Sequence, residues 1–132
     1  MYRLQIADEF RHEPEIYFPF NIDFRGRAYA IPPHLNHLGS DMCRSLLVFS
    51  ERQPLGSTGL RWMKIHLANL FGVNKVPFDD RVAFVDAHQD QILDSARAPL
   101  EGDRWWQEAE YPFMALGVCF ELAQAMQCED PA

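Results

Sequence analysis

The chain has 132 residues and 48% hydrophobic content, enough to build a domain-sized core. It contains no apolar run near the roughly eighteen residues of a membrane span, so no membrane span is expected. The net charge of −7 argues at first against nucleic acid, but the charge is uneven: residues 1–75 carry nine Lys/Arg against seven Asp/Glu, and residues 76–132 three against twelve. A phosphate-binding surface therefore belongs to the first part, and the acidic second part reads as a solvated outer face.

Taken in chain order, residues 2–13 read as the end of a helix with Leu4, Ile6, Ala7 and Phe10 on one side, closed by Pro14. The opening residues lack the apolar core of a secretory signal and the acid-poor composition of a transit peptide. Residues 16–30 form the strand region. Ile31 to Gly39 is a loop forced by Pro32-Pro33, and a helix follows with Ser40 or Asp41 as its cap, running through Leu46, Leu47 and Phe49. A second helix spans about Thr58 to Phe71 and stops at Gly72. A third starts after Asp79, turns Val82, Val85, Ile92, Leu93 and Ala96 to a core, and ends at Pro99. Asp103 caps a short turn carrying Trp105 and Trp106. The last helix opens at Pro112, with Leu116, Phe120 and Ala123 as its buried stripe. The expected fold is α+β and mostly helical: a short strand or hairpin followed by about four helices. Residues 1–132 read as one partial domain, with the strand region at 16–30 and a helical scaffold at 40–128.

The chemistry concentrates in Phe18-Pro19-Phe20-Asn21-Ile22-Asp23-Phe24-Arg25-Gly26-Arg27-Ala28-Tyr29. Along a strand, Asp23, Arg25 and Arg27 would share one face, and Gly26 would leave the backbone open to close approach. Guanidiniums present rigid forks of donors suited to phosphate oxygens, and Asp23 can hold one of them in place. The competing reading is a structural Asp–Arg pair on a solvated strand. His34 and His37 are three apart, with no carboxylate or thiol at ligand spacing, so they read as a loop-stabilising pair; His66 reads as a partly buried helix residue. Asp79 and Asp80 open a helix, while Asp86, Asp90 and Asp94 fall on one helix face as a solvated stripe; none is read as a metal-chelating pair. Cys43, Cys119 and Cys128 are widely spaced and lack a Cys-x-x-Cys, which excludes a zinc ribbon or disulfide framework and fits a reducing compartment. Cys119, in an apolar helical pattern, reads as a buried thiol.

The run Asp23-Phe24-Arg25-Gly26-Arg27 resembles the Asp-x-x-Gly-Arg motif of the single-subunit, bacteriophage-type RNA polymerases. The resemblance continues through Gly39-Ser40-Asp41-Met42, Lys64-Ile65-His66-Leu67-Ala68-Asn69, Gly72-Val73-Asn74-Lys75-Val76-Pro77-Phe78, Ser95-Ala96-Arg97-Ala98-Pro99-Leu100, Trp105-Trp106 and Cys119-Phe120-Glu121. The Pro32-Pro33-His34-Leu35-Asn36-His37 segment looks more like the mitochondrial branch. These anchors cover about residues 15–128 in order.

The resemblance implies a portion of a polymerase catalytic core, on its palm and thumb side, from a mitochondrial DNA-directed RNA polymerase. Arg25, Arg27 and Tyr29 would contact the DNA template and the RNA–DNA hybrid, with Asp23 and Gly26 supporting the motif. Lys75, and Arg44 where the phage enzymes have lysine, would lie near the phosphates of the incoming ribonucleoside triphosphate. The full enzyme would use two magnesium ions, whose aspartate ligands in the family lie downstream of the matched region, beyond the chain's Pro131-Ala132 end. The chain is thus expected to bind no metal, to supply no catalytic residue, to be inactive alone and to act with the rest of the polymerase chain. A second reading is a non-catalytic nucleic-acid-binding or assembly module derived from that family; a third is a purely structural helical domain.

Overall fold

In the computed structural model, residues 1–128 are described; residues 129–132, including the Pro131-Ala132 end, lie outside the described residues. The chain divides into two compact units, Met1–Arg52 and Gln53–Ala132.

The first unit is shaped by turns. Helix α1 (Tyr2–Phe10) ends before Pro14 as its sequence requires, and buries none of its residues. Strands β1 (Phe20–Ile22) and β2 (Ala28–Ala30) pair antiparallel with Phe20 opposite Ala30, Asn21 opposite Tyr29 and Ile22 opposite Ala28. The strand region is therefore a hairpin, and Asp23 to Arg27 form its turn. That corrects the expectation that Asp23, Arg25 and Arg27 share a strand face. The loop after β2 folds on its own polar groups: Asn36 donates from Nδ2 to the Pro32 carbonyl at 2.8 Å and accepts at Oδ1 from the Leu38 N–H at 2.9 Å. His37 packs its ring on Phe18 and Phe20, as expected of a loop-stabilising histidine. The buried Cys43 thiol donates to the His34 carbonyl at 3.2 Å.

Helix α2 covers only Asp41–Ser45, with Ser40 at its N-cap position. It stops short of Phe49, and in its last turn the Met42 carbonyl accepts both Ser45 Oγ at 2.8 Å and the Leu46 N–H at 3.3 Å. Val48 and Phe49 beyond it are exposed, not core residues.

The second unit is built on apolar burial. Helices α3 (Gly56–Leu70), α4 (Phe78–Ala87), α5 (Gln89–Arg97) and α6 (Pro112–Gln127), with the 3₁₀ turn Trp105–Glu108, enclose a core of Leu67, Ala68, Leu70, Val85, Ile92, Trp105, Ala115, Cys119 and Leu122. α3 packs on α4 and α6, and α5 on α6. Gly72 follows α3 at φ +85°, the left-handed conformation that ends a helix at lowest cost in glycine. Burial pushes the Cys119 thiol up to about 12, because its thiolate would have no water around it.

Three helical expectations change. The single helix expected between Asp79 and Pro99 is broken at His88, whose backbone leaves helical values at φ −113°, ψ 23°. The His88 Nδ1 lies 2.7 Å from the Phe84 carbonyl, the acceptor that the His88 N–H would take in a continuous helix; that N–H turns instead to Val85 at 3.0 Å. Trp105 stacks on the His88 ring at 5.2 Å and holds it there. The Asp86–Asp90–Asp94 stripe is correspondingly not one continuous solvated face, since Asp86 pairs with Lys64 and Asp94 is half-buried. In α6 the fully buried positions are Ala115, Cys119 and Leu122, while Phe120 stays exposed. α6 packs against both α3 and α5 and is apolar nearly all round, so its periodicity selects no single face. His66 is exposed on α3, not partly buried as expected.

Candidate nucleic-acid interface

A single carboxylate organises the motif turn. Asp23 Oδ1 accepts the backbone N–H of Arg25 at 2.8 Å and that of Arg27 at 2.9 Å, and Oδ2 accepts the Tyr29 hydroxyl at 3.3 Å. The Asp23 N–H donates to the Arg27 carbonyl at 2.9 Å, and the Gly26 N–H to the Asp23 carbonyl at 3.0 Å. Aspartate does this readily because its short side chain reaches backbone donors a few residues on. Gly26 sits at φ +77°, and a Cβ there would meet nothing within 4 Å. Its role is therefore the left-handed turn conformation and not close approach by a neighbouring group. Asp23 likewise holds the backbone of both arginines, not a guanidinium as expected from its charge.

The consequence is functional. With Asp23 engaged by backbone and hydroxyl, neither the Arg25 nor the Arg27 guanidinium has a hydrogen bond or ion pair among the described residues. Both side chains are exposed. The Arg25 guanidinium carbon lies 5.5 Å from the Phe24 ring centroid, and Phe24 is 94% exposed at the turn. Tyr29, on β2, is tied to the same carboxylate and remains half exposed. The turn thus presents two positive forks and an aromatic ring on a backbone whose shape is set from inside. Guanidinium forks and an aromatic ring are groups chemically suited to backbone phosphates and ribose rather than to base edges.

The remaining expected contacts are less grouped. Arg44 is half-buried in the last turn of α2, in the same unit as the hairpin. Lys75 belongs to the second unit. It is exposed on the connector between α3 and α4, with no hydrogen bond or ion pair among the described residues. Arg81, which sequence reasoning passed over, organises that connector. Its Nε donates to the Val76 carbonyl at 2.9 Å, one terminal nitrogen to the Asn74 carbonyl at 2.7 Å and the other to Asn69 Oδ1 at 3.0 Å. No spacing in the sequence signals this, because two of the three acceptors are main-chain carbonyls.

Three carboxylates of the second unit are committed to other partners. Asp79 pairs with Arg61 at 2.5 Å, Asp86 with Lys64 at 2.6 Å, and Asp94 Oδ2 accepts the Asp103 N–H at 2.8 Å. Among the described residues no three His, Cys, Asp or Glu side chains come together as a metal's ligands would, so these residues do not fit a magnesium pair.

Comparison with known proteins agrees with the motif. A family model described as DNA-dependent RNA polymerase matches residues 53–132. The chain is 54% identical over 131 residues to DNA-directed RNA polymerase 2, chloroplastic/mitochondrial, of Arabidopsis thaliana. It is 51% identical to DNA-directed RNA polymerase 1, mitochondrial, of the same plant, and 52% identical to DNA-directed RNA polymerase 3, chloroplastic, of Nicotiana sylvestris. Each match covers 98% of this chain and 13% of the relative, so the chain spans about an eighth of the length of these proteins. The motif, the ordered anchors and these matches place the chain in the DNA-dependent RNA polymerase family.

Proposed function

We propose that this chain is the part of an organellar DNA-directed RNA polymerase that holds the DNA template and the RNA–DNA hybrid through Arg25, Arg27 and Tyr29. The observation that carries this reading is the turn itself: both guanidiniums stand in solvent while Asp23 is occupied by the main chain beneath them. Residues 1–132 belong to one catalytic region of the longer enzyme, on the palm and thumb side, and the rest of the polymerase chain is their partner. Lys75 contributes a point charge to the phosphates of the incoming ribonucleoside triphosphate. Both magnesium ions are held by groups outside the described residues, and the residues described here bind and orient nucleic acid without taking part in bond formation. The organelle is the mitochondrion, with the plastid as the alternative that the relatives' names support.

In the full-length polymerase, Arg27→Ala and Arg25→Ala each weaken hybrid binding about tenfold and reduce the slope of log affinity against log salt by about one. Hybrid affinity measured across a salt series decides it. An unchanged affinity and slope in the double variant would remove the hairpin from the interface and leave it a structural element.

A further inference from the structure

Lys75 can act on a phosphate only if the connector carrying it is held still, and the holding group is visible. The connector leaves α3 through the left-handed Gly72, whose N–H donates to the Asn69 carbonyl at 3.0 Å, and the Val73 N–H returns to the Ala68 carbonyl at 3.0 Å. Beyond that point the Asn74 N–H donates to the Gly72 carbonyl at 3.0 Å, and side-chain hydrogen bonds come from Arg81, on the first turn of α4. The guanidinium bridges the carbonyls of Asn74 and Val76, the residues on either side of Lys75. It is anchored in turn by Asn69 on α3, and its carbon lies 4.9 Å from the Phe78 ring centroid. One rigid plane thus takes up acceptors before and after a single exposed lysine. Lysine could not reproduce this from position 81, because an ammonium is a point donor and not a planar fork.

We infer that Arg81 is a positioning residue for Lys75: it fixes the connector so that the lysine ammonium meets the nucleotide's phosphates without first ordering the backbone. This rests on the reading of Lys75 as a phosphate contact. Arg81 itself touches no substrate. Its effect passes through the carbonyls of Asn74 and Val76, and pre-ordering of this kind acts on the entropic cost of forming the contact.

The test is a double-mutant cycle in the full-length polymerase, read as KM and kcat for ribonucleoside triphosphates during extension of a primed template. Lys75→Ala raises KM about tenfold, and Arg81→Gln raises it several-fold, while template affinity stays unchanged. The combined variant is no worse than Lys75→Ala alone, since without the lysine there is nothing left to position. Arg81→Lys, which keeps the charge and loses the planar bridge, behaves like Arg81→Gln; it carries the test if Arg81→Gln fails to fold. If Lys75→Ala raises KM but the Arg81 variants do not, or if the two losses multiply, Arg81 is structural only and the Lys75 reading stands. If Lys75→Ala leaves KM unchanged, the Lys75 reading falls and the positioning role with it.

Discussion

The two units obtain their shapes by different means. From Met1 to Arg52 few side chains are buried, Leu35 and Cys43 among them, and the backbone is directed by Asp23, Asn36, Ser45 and the Cys43 thiol, each satisfying groups close by in sequence. From Gln53 onward the helices close on one apolar cluster, and aromatic stacking of Phe71 on Trp105 at 4.1 Å extends it. A unit made by local polar turns can present an exposed, charged surface at little cost to folding. A unit made by burial supplies rigidity, with Ser95 on α5 as its fully buried polar side chain among the described residues. The candidate contacts follow this division: the motif arginines stand on a turn, and Lys75 stands on a connector between two packed helices.

The largest expected effect tests the burial half of that contrast. Leu122→Ala empties a fully buried position on α6 and is expected to cost roughly 3 kcal/mol in denaturant unfolding of the 132-residue chain. A loss under about 1 kcal/mol would mean that the α6 contacts with its neighbours are not the source of stability.

A smaller effect tests the polar half. Asp23→Ala removes the acceptor for two backbone N–H groups and the Tyr29 hydroxyl, and is expected to cost about 1–2 kcal/mol, confined to the hairpin. Hydrogen exchange at the Arg25 and Arg27 amides should accelerate while exchange in α3 and α6 stays unchanged. Acceleration in the helices as well would show that the hairpin's turn and the helical core are one cooperative unit.

The smallest effect has the opposite sign. Ser95 is fully buried on α5, and its hydroxyl has no hydrogen-bond partner among the described residues. Ser95→Ala is expected to leave stability unchanged or raise it by up to about 1 kcal/mol, because an unsatisfied buried hydroxyl disappears. A clear loss of melting temperature would point to a polar partner for that hydroxyl.

Much of this was legible because the signals were local. Pro14, Gly72, Pro99 and Pro112 mark helix ends and starts through backbone geometry alone, and the structure honours each of them. The motif turn was missed, because alternation along a strand was read through it. An aspartate three residues before a glycine is a turn signature, and Gly26 with a positive φ completes it. The identity of the candidate nucleic-acid contacts could be read from the motif; their arrangement on a turn, with Asp23 underneath, could not be read from a period of two.

By itself the sequence determined the family, the mostly helical class, the position of the charged motif and the helix boundaries set by proline and glycine. Each of these depends on residue type or on neighbours a few positions away. The tertiary structure alone decided the break at His88, the faces that α6 buries and the bridging of Asn74 and Val76 by Arg81. Trp105 reaches His88 from a distant part of the chain, α6 has two helices to cover, and Arg81 binds carbonyls that every residue possesses. Main-chain acceptors and distant rings leave no trace in residue spacing.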